Sequence, residues 1–98
     1  MIIDTIFLDL NFNLVKVDNY DVMTFEKAFD SVGEDVFCFK TSDAIFKVDK
    51  IKKEFRVLHR YEFTSLRKSL EHDAVVMTLY KIAKRSGYKV FLEPKFMN

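Results

Sequence analysis

Apolar and polar positions recur along this chain with two periods, and the switches between them mark out eight elements. Ile2 to Leu8 is β-rich, with Ile2, Ile6 and Leu8 on one face and Ile3, Thr5 and Phe7 on the other. Apolar residues on both sides suit a strand inside a sheet. Asp9 to Asn13 has the Asp and Asn residues of a turn, and Leu14 to Val17 returns as a second strand, so a β-hairpin opens the chain. Val22, Phe25, Ala28, Phe29 and Val32 then recur at helical spacing. Asp21 is placed to cap that helix, Tyr20 and Phe25 occupy its hydrophobic-staple positions, and Gly33 ends it.

Period two resumes at Asp35 to Lys40, whose Val36-Phe37-Cys38-Phe39 run puts bulk on both faces. Thr41-Ser42-Asp43 is a turn, Ala44 to Asp49 a returning strand, and Lys50 to Lys53 a charged turn. From Glu54 to Phe63 the alternation is cleanest. Phe55, Val57, His59, Tyr61 and Phe63 point to the core, and Glu54, Arg56, Leu58, Arg60 and Glu62 point away. The last part begins a helix at Asp73, with Val75, Val76, Leu79, Tyr80, Ile82 and Ala83 on one face. Lys84 and Arg85 suit its negative end, Gly87 stops it, and Val90 to Leu92 is a strand.

Thr64 to His72 also has helical character, but at 100° per residue Leu66 and Leu70 lie opposite Val75, Leu79 and Ile82. One straight helix cannot bury both sets on one sheet. The reading is therefore a break near Glu71-His72-Asp73; the alternative is that Leu66 and Leu70 meet a partner such as a second copy of the chain. The order β-β-α-β-β-β-α-β predicts one α+β domain over residues 1–98. Its sheet is mainly antiparallel, of five to six strands, with two main helices packed on one face.

Composition narrows the class. Of 98 residues, 49% are hydrophobic and 32% charged, which is a globular balance. Eleven Phe against two Gly and one Pro implies an aromatic-rich core with few tight turns. The single Cys38 has no disulfide partner within the chain and sits in an apolar run, as a reduced, inert thiol does. The opening Met-Ile-Ile-Asp lacks the basic region of a secretory leader, and no window holds eighteen apolar residues. These features point to a cytoplasmic protein away from membranes. The low Gly and Pro content with abundant Lys, Ile and Phe suits a small phage or mobile-element factor.

Charge adds an asymmetry. Residues 1–49 carry ten acidic and four basic groups, and residues 50–98 carry five acidic and twelve basic ones. Such halves suit an anionic partner or electrostatic self-association, unless folding mixes them.

Chemistry is sparse. His59 and His72 stand thirteen apart with no Cys or His at zinc spacing, so neither metal nor cofactor is expected. Ser65-Leu66-Arg67-Lys68 has the literal S-x-x-K spacing but lacks the companion S-D-N and K-T-G motifs. With two glycines the phosphate-cradling loops cannot be built. Ile6-Phe7-Leu8 resembles the apolar centre of the first-strand motif of RNA-recognition-motif domains, without the glycine–aromatic signature of their third strand. Asp9-Leu10-Asn11 departs from the haloacid-dehalogenase motif at its second aspartate. No family is assigned and no catalytic residue is expected.

Two non-enzymatic readings follow. In the first, a regulatory protein binds nucleic acid through Lys50, Lys52, Lys53, Arg56, Arg60, Arg67 and Lys68. Arg56 and Arg60 would then share one strand face about 13 Å apart. In the second, the chain is a compact inhibitor or adaptor that binds a protein partner, or a second copy of itself as a homodimer, through an exposed sheet face (Phe37, Phe39 and Leu58) or the helix residues Leu66 and Leu70.

Overall fold

The computed structural model describes residues 2–42, 44–60 and 70–91, with the backbone alone described at 60 and 70–74. The elements are β1 (Ile2–Leu8), β2 (Leu14–Asp21), a 3₁₀ turn (Val22–Thr24), α1 (Glu26–Ser31), β3 (Val36–Lys40), β4 (Ala44–Asp49), β5 (Glu54–Arg60), α2 (Leu70–Arg85) and β6 (Lys89–Phe91). They form an α+β fold in the predicted order, on a six-stranded sheet arranged β2-β1-β3-β4-β5-β6. Every pairing is antiparallel except β5 with β6, whose parallel register requires a crossover, and α2 lies on that crossover. Among the described residues no helix is long and apolar enough to cross a membrane.

The core sits between one face of the sheet and the helices. Phe7, Phe37, Phe39, Phe46, Val48, Phe55 and Val57 come from the strands. They meet Val22, Phe25, Ala28, Phe29 and Val32 from the first helical region and Val75, Val76, Leu79, Ile82 and Ala83 from α2. Seven phenylalanines are buried in this layer, each contributing on the order of 1.5–3 kcal/mol of burial. Their rings form a chain of contacts in which Phe39 and Phe46 stack at 4.6 Å between centroids and Phe25 meets Phe39 at 5.2 Å. Tyr20 and Phe25 touch edge to face at 5.7 Å, the contact expected of the staple pair.

Local chemistry sets the ends of the elements. In the β1–β2 turn the Asp9 carboxylate accepts hydrogen bonds from the Asn11 and Asn13 amides, both at 2.9 Å. The Asn13 amide most, then the Asn11 amide and the Asn13 side chain, outweigh an opposing desolvation and hold the Asp9 carboxyl below its ordinary value. Asp21 caps the 3₁₀ turn by accepting from the Met23 amide at 3.0 Å. At the far end of α2, Gly87 takes φ +92°, its N–H donates to the Lys84 carbonyl, and the Tyr88 N–H donates to that of Ala83. This is a Schellman closure.

Four expectations are corrected. The helix expected over Val22 to Val32 divides into the 3₁₀ turn and a six-residue α1, because Asp21 caps a turn that closes before Glu26. The expected break at His72-Asp73 is not there, since α2 runs unbroken from Leu70 to Arg85. Phe37 and Phe39 are fully buried rather than exposed, because α1 and α2 pack on the face they occupy. Finally, β5 carries a bulge where Ile45 pairs with His59 but Phe46 pairs with Val57. The bulge resets the alternation. His59 is therefore exposed rather than core-facing. Arg60 pairs with the buried Ala44 and Arg56 with Lys47, so the simple alternation uniting Arg56 and Arg60 on one face does not hold.

Candidate nucleic-acid interface

The sheet has a second face, and no described helix covers it. Register fixes which residues share it. Leu8, Cys38, Lys47, Arg56 and Phe91 are successive partners across β1, β3, β4, β5 and β6 and form one transverse row. Val36, Asp49, Glu54 and Lys89 form the next. The first row is apolar toward β1 and cationic with an aromatic end toward β6. Arg56 is exposed, and its guanidinium carbon lies 4.1 Å from the centre of the Phe91 ring. That distance is a cation–π contact between the guanidinium and the ring. Lys47 is the direct cross-strand neighbour of Arg56.

The β4–β5 turn extends the positive end. Lys52 and Lys53 are exposed there, and the turn docks on β6 through a 2.7 Å hydrogen bond from the Lys89 N–H to the Lys53 carbonyl. Asp49 closes the turn by accepting from the Ile51 and Lys52 amides at 3.0 and 2.9 Å. Lys53 takes φ 57°, and its ammonium lies 4.8 Å from the Tyr88 ring centre.

The sequence-predicted cations therefore separate. Arg56 lies on the second face and Lys52 is exposed in the turn before it, whereas Lys53 directs its ammonium to Tyr88, a member of the core cluster. Lys50 does not join Arg56 and Lys52, because its ammonium donates to the Val32 carbonyl at 2.7 Å and lies 5.6 Å from the Phe37 ring centre, on the core side. Arg60 is placed only by its backbone, and Arg67, Lys68 and Leu66 lie outside the described residues. Leu70 opens α2. Leu58, expected on an exposed face, is half-buried beside the bulge. The sequence reading missed Lys47, Lys89 and Phe91. Lys47 was legible as an outward residue of its strand, but its adjacency to Arg56 depends on pairing, and that of Phe91 on a parallel crossover.

Electrostatics follows the strand order. The acidic N-terminal half puts Asp4, Asp18 and Asp21, all exposed, on β1 and β2 at one edge of the sheet, while Lys52, Lys53, Arg56 and Lys89 lie toward the other. The halves nevertheless meet, since Glu26 pairs with Arg85 at 3.3 Å and Asp49 and Glu54 stand in the same row as Lys89. Cys38 lies within the row between Leu8 and Lys47. Burial, with a smaller push from Asp9 against the opposing pull of Lys47, raises its thiol pKa, so it is a poor nucleophile. Among the described residues no group of His, Cys, Asp and Glu is gathered to hold a metal ion. The chain matches no protein-family model, no curated protein and no solved structure.

Proposed function

We propose that this protein binds single-stranded nucleic acid across the β4–β5–β6 end of the sheet. The observation that carries the reading is the row Lys47–Arg56–Phe91, in which a guanidinium over an aromatic ring and a neighbouring lysine share the sheet face without a described helix. Single strands are held by cations that track the phosphates and by flat groups on which bases stack. Lys52, exposed in the turn, and Lys89, on the same face at the β6 edge, add further cations.

The test is fluorescence anisotropy with labelled single-stranded oligonucleotides across a salt series. Affinity is expected to fall steeply with salt. Lys47→Ala with Arg56→Ala is expected to reduce the slope of log affinity against log salt by about 1.4, two phosphate contacts at roughly 0.7 each. Phe91→Ala is expected to cost about 1–3 kcal/mol through loss of one stacking platform. Lys81→Ala with Lys84→Ala removes the same charge from exposed positions on α2, across the sheet from the row, and is expected to cost far less. Absence of binding at low salt, or equal losses from the two double variants, would exclude this interface.

A further inference from the structure

The other end of the sheet carries a different surface. β2 is the terminal strand among the described residues, eight residues long, with no proline. Leu14, Val15 and Val17 are 64%, 43% and 63% exposed along it, and Ile2 on the neighbouring β1 is 62% exposed. A terminal strand offers a row of unpaired backbone donors and acceptors, and an outward cation is one common guard against pairing. Lys16 does not provide that guard. Its ammonium is drawn back over the core side, donating to Ser31 Oγ at 2.9 Å and Tyr20 Oη at 3.2 Å, with the Phe7 ring centre 5.3 Å away.

We infer that β2 pairs antiparallel with β2 of a second copy of this chain, about a two-fold axis through Val17. The choice of occupant rests on self-complementary charge. A two-fold axis normal to the sheet keeps each face on its own side, so it must pass through a residue rather than between two. Centring on Lys16 or Asp18 sets like charges against each other. Centring on Val15 or Asn19 leaves both charges opposite uncharged residues. Centring on Val17 sets each Lys16 opposite Asp18 of the other copy, twice, within the part of β2 that lies beyond the irregularity at Val15. It also covers the exposed Val17 with its own counterpart. In each copy Lys16 already lies 3.9 Å from its own Asp18, so both groups sit on the same face of the sheet, as this pairing needs.

Sedimentation velocity of the full chain over a concentration series tests the pairing. The wild type is expected to show a monomer–dimer equilibrium. Val17→Asp, which places two carboxylates at the axis, is expected to raise the dissociation constant about tenfold or more while the circular dichroism spectrum stays native. Lys16→Asp and Asp18→Lys are each expected to weaken the dimer, and the double swap to restore it, since opposite charges again face each other. If Val17→Asp loses the native spectrum, the swap series decides alone. A wild type that is monomeric at every concentration, a folded Val17→Asp that dimerises normally, or a double swap no better than its parents would overturn the inference.

Discussion

Lys50 and Arg56 lie six positions apart, carry the same charge and serve opposite ends. Arg56 is exposed on a strand and stacks on Phe91, whereas Lys50 turns inward to the Val32 carbonyl and lies beside Phe37. Its bond ties the end of the α1 region to the β4–β5 turn, and the Lys50 N–H adds a second tie to the Asp35 carbonyl at 2.8 Å. Lys50→Ala removes only the side-chain bond. It is expected to lower stability by about 1 kcal/mol, less than a buried charged donor gives because the residue is half-exposed, and to leave oligonucleotide affinity close to wild type. Urea unfolding and anisotropy on the same variant separate the two effects. A large loss of affinity with unchanged stability would return Lys50 to the binding surface.

At the scale of elements, the sequence pattern was most informative where one local rule acted alone. β4 begins and ends where the alternation of Phe46 and Val48 with Lys47 and Asp49 places it. The end of α2 falls at Gly87, where the backbone enters the left-handed region. A Cβ built on Gly87 meets nothing within 4 Å, so the cost of Gly87→Ala is conformational strain alone. Thermal melts should show a loss of about 1–2 kcal/mol, with a smaller loss for Gly87→Asn. An unaffected Gly87→Ala would mean the closure is not held in this geometry. Where two rules competed, the pattern misled. The bulge in β5 shifts parity midway through a clean alternation, and nothing in Arg56-Val57-Leu58-His59 announces it. The run Phe37-Cys38-Phe39 is apolar on both faces, so periodicity could not say which face the helices would cover. The abundance of aromatics suggested a surplus for an outer patch, yet seven phenylalanines fit into one layer because their rings pack on one another. The candidate row was half legible, because residue type and strand face can be read locally but neighbours across strands cannot.

At the scale of the whole molecule, the strand order puts Asp4, Asp18 and Asp21 near one edge of the sheet and Arg56 and Lys89 near the other. Pairing at β2 would place the two basic ends at opposite edges of a twelve-stranded sheet. With strands about 4.8 Å apart, the two Arg56 residues would stand roughly 40 Å apart, and one polymer long enough to reach both would gain avidity. The folded state also has a defined response to alkali. Burial first, then the carboxylates of Asp30 and Asp49, raises the Tyr88 hydroxyl above its ordinary value of 10.0, and burial raises the Cys38 thiol above 9.0. A raised acid holds its proton longer in the native state than in the unfolded one. Its contribution is therefore complete below the unfolded value and is lost as pH climbs through that value toward the native one. Stability is expected to begin falling near pH 9 as unfolded Cys38 ionises, and to fall further above pH 10 as unfolded Tyr88 does. Cys38→Ala should remove the first part of the decline and Tyr88→Phe the second, when urea midpoints are compared from pH 7 to 11. A wild-type midpoint that holds steady or rises across that range would contradict the burial of both groups. A decline that survives both substitutions would likewise show that neither group carries it.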